Sequence, residues 1–335
     1  MNILLQVLEF AAKGLVVFLV AAATLAFIAL LARRQSGRAR LEVRPLNQRF
    51  EALGDAVRAG ILQKKELKQL RRTRKAERAH PPEGQPRVFV VDFQGDLLAT
   101  AVTSLREEVS AIAAAATAGD EVVVRLESSG GAVPHYGLAA AQLARLKERK
   151  LKLTVCIDRV AASGGYMMAC VGDRIVAAPF AIIGSIGVVA QVPNLPRLLK
   201  KHEIDFEEAT AGEFKRTVSV FGEISDKGRR KFQEQLEETH AIFKEFVKAQ
   251  RPALEIDKVS TGEYWLASRG LALGLVDQLS TSDDYLLARA KEARLFLVAY
   301  KPESSWRRRL GAAAEAAVDR AVLALLTRLQ ALALR

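Results

Sequence analysis

Through the middle of the chain, short apolar runs alternate with longer segments in which apolar residues recur every three or four positions. This pattern predicts strands at 88–93, 121–126 and 151–157 with helices at 103–116 and 134–148 between them, the mark of an α/β domain with crossover connections. Two further strands are expected at 173–178 and 204–209. Residues 225–250 predict a long amphipathic helix, with Phe232, Leu236, Phe243, Phe246 and Val247 on one face and Pro252 ending it. Upstream, Phe50, Leu53, Val57, Ile61, Leu67 and Leu70 are spaced three or four apart except for one longer gap, so residues 47–79 read as helical. The run His80-Pro81-Pro82-Glu83-Gly84-Gln85-Pro86 breaks any helix and marks a domain boundary. No tandem repeat is visible, which leaves one α/β unit.

The first apolar run differs in kind. Residues 14–32 carry no charge, and nineteen helical residues at about 1.5 Å each cross about 30 Å of hydrocarbon. Glu9 and Lys13 precede the run and Arg33-Arg34 close it, which reads as a transmembrane anchor rather than a cleaved signal peptide. The net charge of +12 lies at the two ends: residues 33–80 hold fifteen Lys/Arg against five Asp/Glu, and residues 305–335 hold six against two. A basic segment directly after a membrane helix fits anionic headgroups and topology better than phosphate backbones, and no aromatic-rich basic platform argues for nucleic acid. The segment from Trp306, with Arg307-Arg308-Arg309 ahead of a Leu- and Ala-rich run, reads as a basic amphipathic helix suited to a membrane interface or a neighbouring subunit. Cys156 and Cys170 sit in apolar surroundings and read as buried free thiols. The expected plan is an anchor over 1–34, a basic juxtamembrane helix and linker over 35–86, a catalytic domain over 87–300 and the basic C-terminal helix over 301–335.

Chemistry concentrates at Ala161-Ala162-Ser163-Gly164-Gly165-Tyr166, where a serine and two glycines close a strand and open an apolar helix. A serine hydroxyl needs a base to become a nucleophile. Of the four histidines, His80, His202 and His240 fall in basic or polar stretches, and His135 is the one nearest a glycine pair. Lysine is the other candidate: Lys215 in Gly212-Glu213-Phe214-Lys215-Arg216 lies in a non-periodic stretch before the long helix. A general-base lysine has to be neutral, which requires desolvation, and Phe214 and Val218 are the apolar neighbours at hand. Gly130-Gly131 follow the apolar strand Val122-Val123-Val124-Arg125-Leu126, a place where backbone amides can meet a developing oxyanion. No Cys/His cluster has metal-ligand spacing and no Walker-type glycine loop is present, so neither metal nor nucleotide is expected.

Taken in order, Glu127-Ser128-Ser129-Gly130-Gly131, Ser163-Gly164-Gly165, Gly184-Ser185-Ile186-Gly187 and Lys215 resemble the signal peptide peptidase A family, in its SohB branch of bacterial inner-membrane peptidases. The resemblance covers roughly residues 87–300. It implies a ClpP/crotonase superfold, a Ser163/Lys215 dyad, an oxyanion hole from Gly131 and Gly164 with Gly130 beside them, and Ser185 orienting the lysine. It also implies a cofactor-free serine endopeptidase acting on signal peptides or membrane-derived segments, assembled as a ring whose serine and lysine come from neighbouring subunits. Glu127, Ser129 and Ala132 stand where the family has Asn, Pro and a third Gly. Topology arguments diverge, since the positive-inside rule keeps the catalytic part cytoplasmic whereas the resemblance implies the outer side of the inner membrane. Two rival readings remain on the same scaffold: a non-proteolytic membrane scaffold or chaperone, and acyl-CoA chemistry, which needs an oxyanion hole but no Ser/Lys pair.

Overall fold

The computed structural model describes residues 40–79 and 84–302. The chain divides into a main unit, Glu42–Ala299, and a second made of Met1–Leu41 with Tyr300–Arg335. The anchor expected at 14–32 and all but the first two residues of the segment expected at 301–335 lie outside the described residues. Among the described residues, no helix is long and apolar enough to cross a membrane.

The fold is mixed α/β around one ten-stranded sheet. Its strands are β1 (Arg40–Pro45), β2 (Arg87–Gly95), β3 (Glu121–Ser128), β4 (Lys152–Ile157), β5 (Val160–Ala162), β6 (Arg174–Ala177), β7 (Ile182–Gly184), β8 (Tyr264–Leu266), β9 (Gln278–Leu279) and β10 (Arg294–Lys301). The main path runs β1-β10-β2-β3-β4-β6-β9, and β5, β7 and β8 branch from it. Pairings from β10 through β2, β3, β4 and β6 to β9 are parallel, whereas β7 and β8 pair antiparallel.

Near-continuous apolar strands follow from burial on both faces. On one face, Phe89, Val91 and Phe93, then Val122, Val124 and Leu126, then Leu153, Val155 and Ile157 meet the helices Val102–Ala115 and Val133–Glu148. On the other, Val88, Val90, Val123, Cys156 and Val176 meet Leu46, Phe50, Tyr285 and Leu286. The predicted strands and crossover helices therefore form close to their expected places.

Three expectations differ. Residues 47–79 form two helices, Leu46–Ala59 and Lys64–Ala79, because Gly60 to Gln63 turn the chain between them. The first of these buries Leu46 against the sheet, and the Asn47 amide bridges to it: Nδ2 donates to Ala290 O and Ala293 O, and Oδ1 accepts from Leu295 N–H. Residues 204–209 form no strand. Of the apolar face predicted on the helix Asp226–Gln250, Phe243 and Val247 are buried while Phe232, Leu236 and Phe246 stay half-exposed.

Where β2 begins, the Arg87 guanidinium and backbone N–H and the Thr117 N–H all donate to the buried Asp120 carboxylate. Burial pushes this carboxyl up, but the Arg87 and Thr117 hydrogen bonds and the Arg87 charge outweigh it and hold it below the usual range. A lowered folded pKa means stability that is present above the unfolded value of about 3.9 and is lost as pH falls through the folded value. Asp120→Asn should therefore destabilise the protein by about 1–3 kcal/mol at pH 7, with the difference from wild type shrinking in acid. Urea denaturation across pH 3–7 measures both, and a difference independent of pH would contradict this assignment.

Candidate active site

Parallel strands β3, β5 and β7 gather three loops that are far apart in sequence. Ser128 at the end of β3 lies opposite Ala161 of β5, and Ala162 of β5 lies opposite Gly184 of β7. The loops after these strands, 129–132, 163–165 and 185–187, consequently emerge side by side, at the carboxyl ends of the strands where α/β sheets place ligands.

Ser163 occupies the turn between β5 and the helix Gly164–Ala169 with φ 52° and ψ −120°. A side-chain-bearing residue held there costs about 1–3 kcal/mol, which the surroundings must impose. They do so through Ser163 N–H, which donates to Gly184 O at 2.8 Å, and Ser163 O, which accepts from Met167 N–H at 2.9 Å. The half-buried Ser163 hydroxyl has no hydrogen-bond partner among the described residues. Beside it, Gly164 is the first residue of its helix, so its N–H has no intrahelical acceptor.

The preceding glycine loop presses directly on this turn. A Cβ at Gly130, whose φ is +91°, would stand 2.7 Å from both Ala162 O and Gly164 N and 2.8 Å from Ser163 Cβ. A Cβ at Gly164 would stand 2.4 Å from Cγ of the Tyr136 ring. Glycine at both positions is thus a condition of the contact. The Gly130 N–H donates to Ser128 Oγ at 3.0 Å, which engages that amide within its own loop. The amides of Gly131 and Gly164 have no acceptor among the described residues. The Ala132 departure is tolerated because φ there is −60°, open to any residue, and Ala132 N–H donates to Leu97 O at 2.8 Å. Glu127 pairs with Arg159 at 2.6 Å on the rim.

Ser185 also has a positive φ, 51°. Its N–H donates to Glu263 O at 2.7 Å, and its hydroxyl reaches Gly262 O only at 3.4 Å, a weak contact that leaves it open to a better partner. The Thr261–Trp265 segment braces this turn from one side. His240 Nε2 lies 3.2 Å from Ile186 O, the carbonyl that also accepts from Gly262 N–H. Sequence reasoning passed over His240 as a residue on a polar helix face; only the packing of the long helix on the 185–187 loop reveals it. His135 is exposed and takes no part.

No hydrogen bond joins Lys215 to Ser163 among the described residues. Lys215 is exposed, and its ammonium makes no hydrogen bond or ion pair among the described residues. Phe214, expected to shield it, instead lies under the ammonium groups of Lys227 and Lys231, each 5.6 Å from the ring centre. The surrounding segment ties to itself: Asn194 Nδ2 donates to Ser219 O and Gly222 O, and Leu195 N–H to Val220 O. It exposes Val189, Leu198, Ile204, Phe206 and Phe221, with Val189 81% accessible. No group of His, Cys, Asp and Glu suited to a metal occurs among the described residues.

A strained serine at a strand-to-helix turn, with unpaired backbone amides beside it, is the equipment of acyl-transfer chemistry on an α/β sheet. Comparison with known proteins agrees in kind. Peptidase family S49 matches residues 145–295, and Peptidase family S49 N-terminal matches residues 2–143. The chain belongs to peptidase family S49, and the two relatives described next are of the SohB type. A probable protease SohB of Haemophilus influenzae is 58% identical over 68% of this chain and 65% of its own length. Another from Buchnera aphidicola (subsp. Schlechtendalia chinensis) is 54% identical over 62% of this chain and 68% of its own. The chain thus spans about two thirds of these relatives. Among solved structures, a membrane-bound stomatin-specific protease aligns over 62% of this chain and 85% of its own at 13% identity, with a TM-score of 0.39.

Gly130→Ala should cut any activity of this site at least a hundredfold, because the methyl would force the 129–132 loop off the Ser163 turn. A cooperative thermal melt should persist at lowered temperature. Peptide hydrolysis and calorimetry check the two parts, and unchanged turnover would show that the contact is dispensable.

Proposed function

We propose that the protein is a membrane-anchored serine endopeptidase with a Ser163/Lys215 dyad, on the ClpP-type fold that its motifs imply. The observation that carries this is the Ser163 turn itself, strained, with a free hydroxyl and the unpaired amides of Gly131 and Gly164 close by. In this mechanism the neutral Lys215 amine takes the Ser163 proton as Oγ bonds to the scissile carbonyl carbon. The oxyanion rests on the Gly131 and Gly164 amides, and Ser185 orients the lysine. The lysine then gives its proton to the leaving amine, an acyl-serine remains, and water releases it by the reverse path. No cofactor is needed. Substrates are extended apolar peptides such as signal peptides or membrane-protein segments, met at the bacterial inner membrane where residues 14–32 hold the chain.

Lys215 serves the Ser163 of a neighbouring copy. Two features support this: Lys215 is exposed in its own chain without a partner, and the segment carrying it displays apolar side chains that a neighbouring copy would cover. Covering them would also dry the lysine and favour its neutral form.

Ser163→Ala and Lys215→Ala should each lower peptide hydrolysis by at least a thousandfold, and Lys215→Arg should not rescue it, because a guanidinium cannot give up a proton in a protein. Mixing and reassembling the two inactive variants should restore a measurable fraction of activity, since some sites would then hold both groups. Failure to complement while the mixture assembles would place both groups of the dyad in one chain. Absence of fluorophosphonate labelling at Ser163 would favour the scaffold reading.

Turnover should rise from neutral toward alkaline pH, since only the uncharged amine accepts a proton. A kcat/KM profile flat from pH 6 to 10 would argue against a lysine base.

A further inference from the structure

Beneath the glycine loop, one buried side chain reaches three segments near the Ser163 turn. Tyr136, with 0% of its surface accessible, presents its ring to Gly164, the residue directly after Ser163. Its hydroxyl lies 2.5 Å from Ser128 Oγ and donates to Asp96 O at 2.7 Å. A phenol has one proton, and Asp96 O receives it, so the proton between the two hydroxyls must come from Ser128. The Ser128 oxygen is then oriented to accept the Gly130 N–H at 3.0 Å. The order Gly130 N–H to Ser128, Ser128 to Tyr136, Tyr136 to Asp96 O has one direction and leaves no ambiguity of donor. Burial pushes the Tyr136 hydroxyl above its ordinary range against the opposing Ser128 hydrogen bond, which keeps it a neutral donor.

This chain settles the choice among the loop amides. Two successive N–H groups, at Gly130 and Gly131, leave the end of β3, and the loop could turn either toward the reaction. With Gly130 N–H drawn inward to Ser128, its neighbour Gly131 stays without an internal acceptor, as does Gly164, which rests on the same tyrosine ring. Asp96 O adds the third anchor, next to Leu97, whose carbonyl holds Ala132 N–H at 2.8 Å.

We infer that Tyr136 is a positioning residue for the oxyanion hole, acting through Ser128 to hold Gly130 N–H inward so that the Gly131 and Gly164 amides face the reacting carbonyl. The inference rests on the reading of Ser163 as nucleophile. Hydrogen bonds to the oxyanion are worth most in the transition state, so misplacing an amide should lower kcat and leave substrate affinity alone.

The test uses the full chain in detergent, with a fluorogenic apolar peptide as substrate and a fluorophosphonate as a second probe of Ser163. Tyr136→Phe keeps the ring under Gly164 and deletes only the hydroxyl. It should lower kcat about 10- to 100-fold with KM within twofold of wild type, and slow fluorophosphonate labelling in parallel. This is less than the roughly 10²- to 10³-fold loss from deleting an oxyanion donor outright. Ser128→Ala should do the same, and the double variant should be no slower than the worse single variant by more than threefold, because both break one chain. A folded Tyr136→Phe with kcat within threefold of wild type overturns the proposal. So does a loss confined to KM, or losses that multiply in the double variant. If Tyr136→Phe does not melt cooperatively, Ser128→Ala is judged alone by the same limits. Ser163→Ala separates the two levels: if it stays active, the nucleophile is misassigned. If it is inactive while Tyr136→Phe turns over normally, only the role of Tyr136 fails.

Discussion

Close contact between the backbone at Gly130 and the turn at Ser163 is the constraint on which the site depends. Each side makes the other possible: the Ser163 strain is held by Gly184 O and the following helix, and the space for that strained turn exists because Gly130 and Gly164 carry no side chain. Such contact demands that the supporting strands be aligned to within a fraction of an ångström. The parallel core strands, packed on both faces, give that rigidity, and β5 conveys it by registering against β3 and β7 at once.

Two layers of control follow. Around the Ser163 and Ser185 turns, the backbone is held by the chain through Ser128, Tyr136 and Asp96 O and by His240 and the Thr261–Trp265 segment. Farther out, the 188–222 segment is held mostly to itself and carries exposed apolar residues alongside Lys215. In the proposed assembly the rigid half of the site and the base-bearing half belong to different copies. A chain on its own would then hold a prepared nucleophile without a base, and hydrolysis would begin only once copies meet.

The charge distribution fits a body held near a surface. The basic residues cluster in residues 33–80 and 305–335, and the helix Leu46–Ala59 docks on the sheet through Leu46, Phe50 and Asn47.

The sequence alone determined the α/β alternation, because strands buried on both faces and helices buried on one leave different apolar periods. It also singled out Ser163, Gly130, Gly131, Gly164, Ser185 and Lys215, because their ordered motifs resemble those of a known family. Short strands escaped it: β5, β7 and β8 have three residues each, too few for a period to show. The expected strand at 204–209 failed for a related reason, since Ile204, Phe206 and Ala209 set among three carboxylates are too brief a pattern to fix a strand. Only the tertiary structure decided which amide of the glycine pair is bonded inward, and that Tyr136 and His240 pack against the loops around Ser163 and Ser185. Those facts depend on distances between residues far apart in sequence, and such distances exist only once the sheet has set its register.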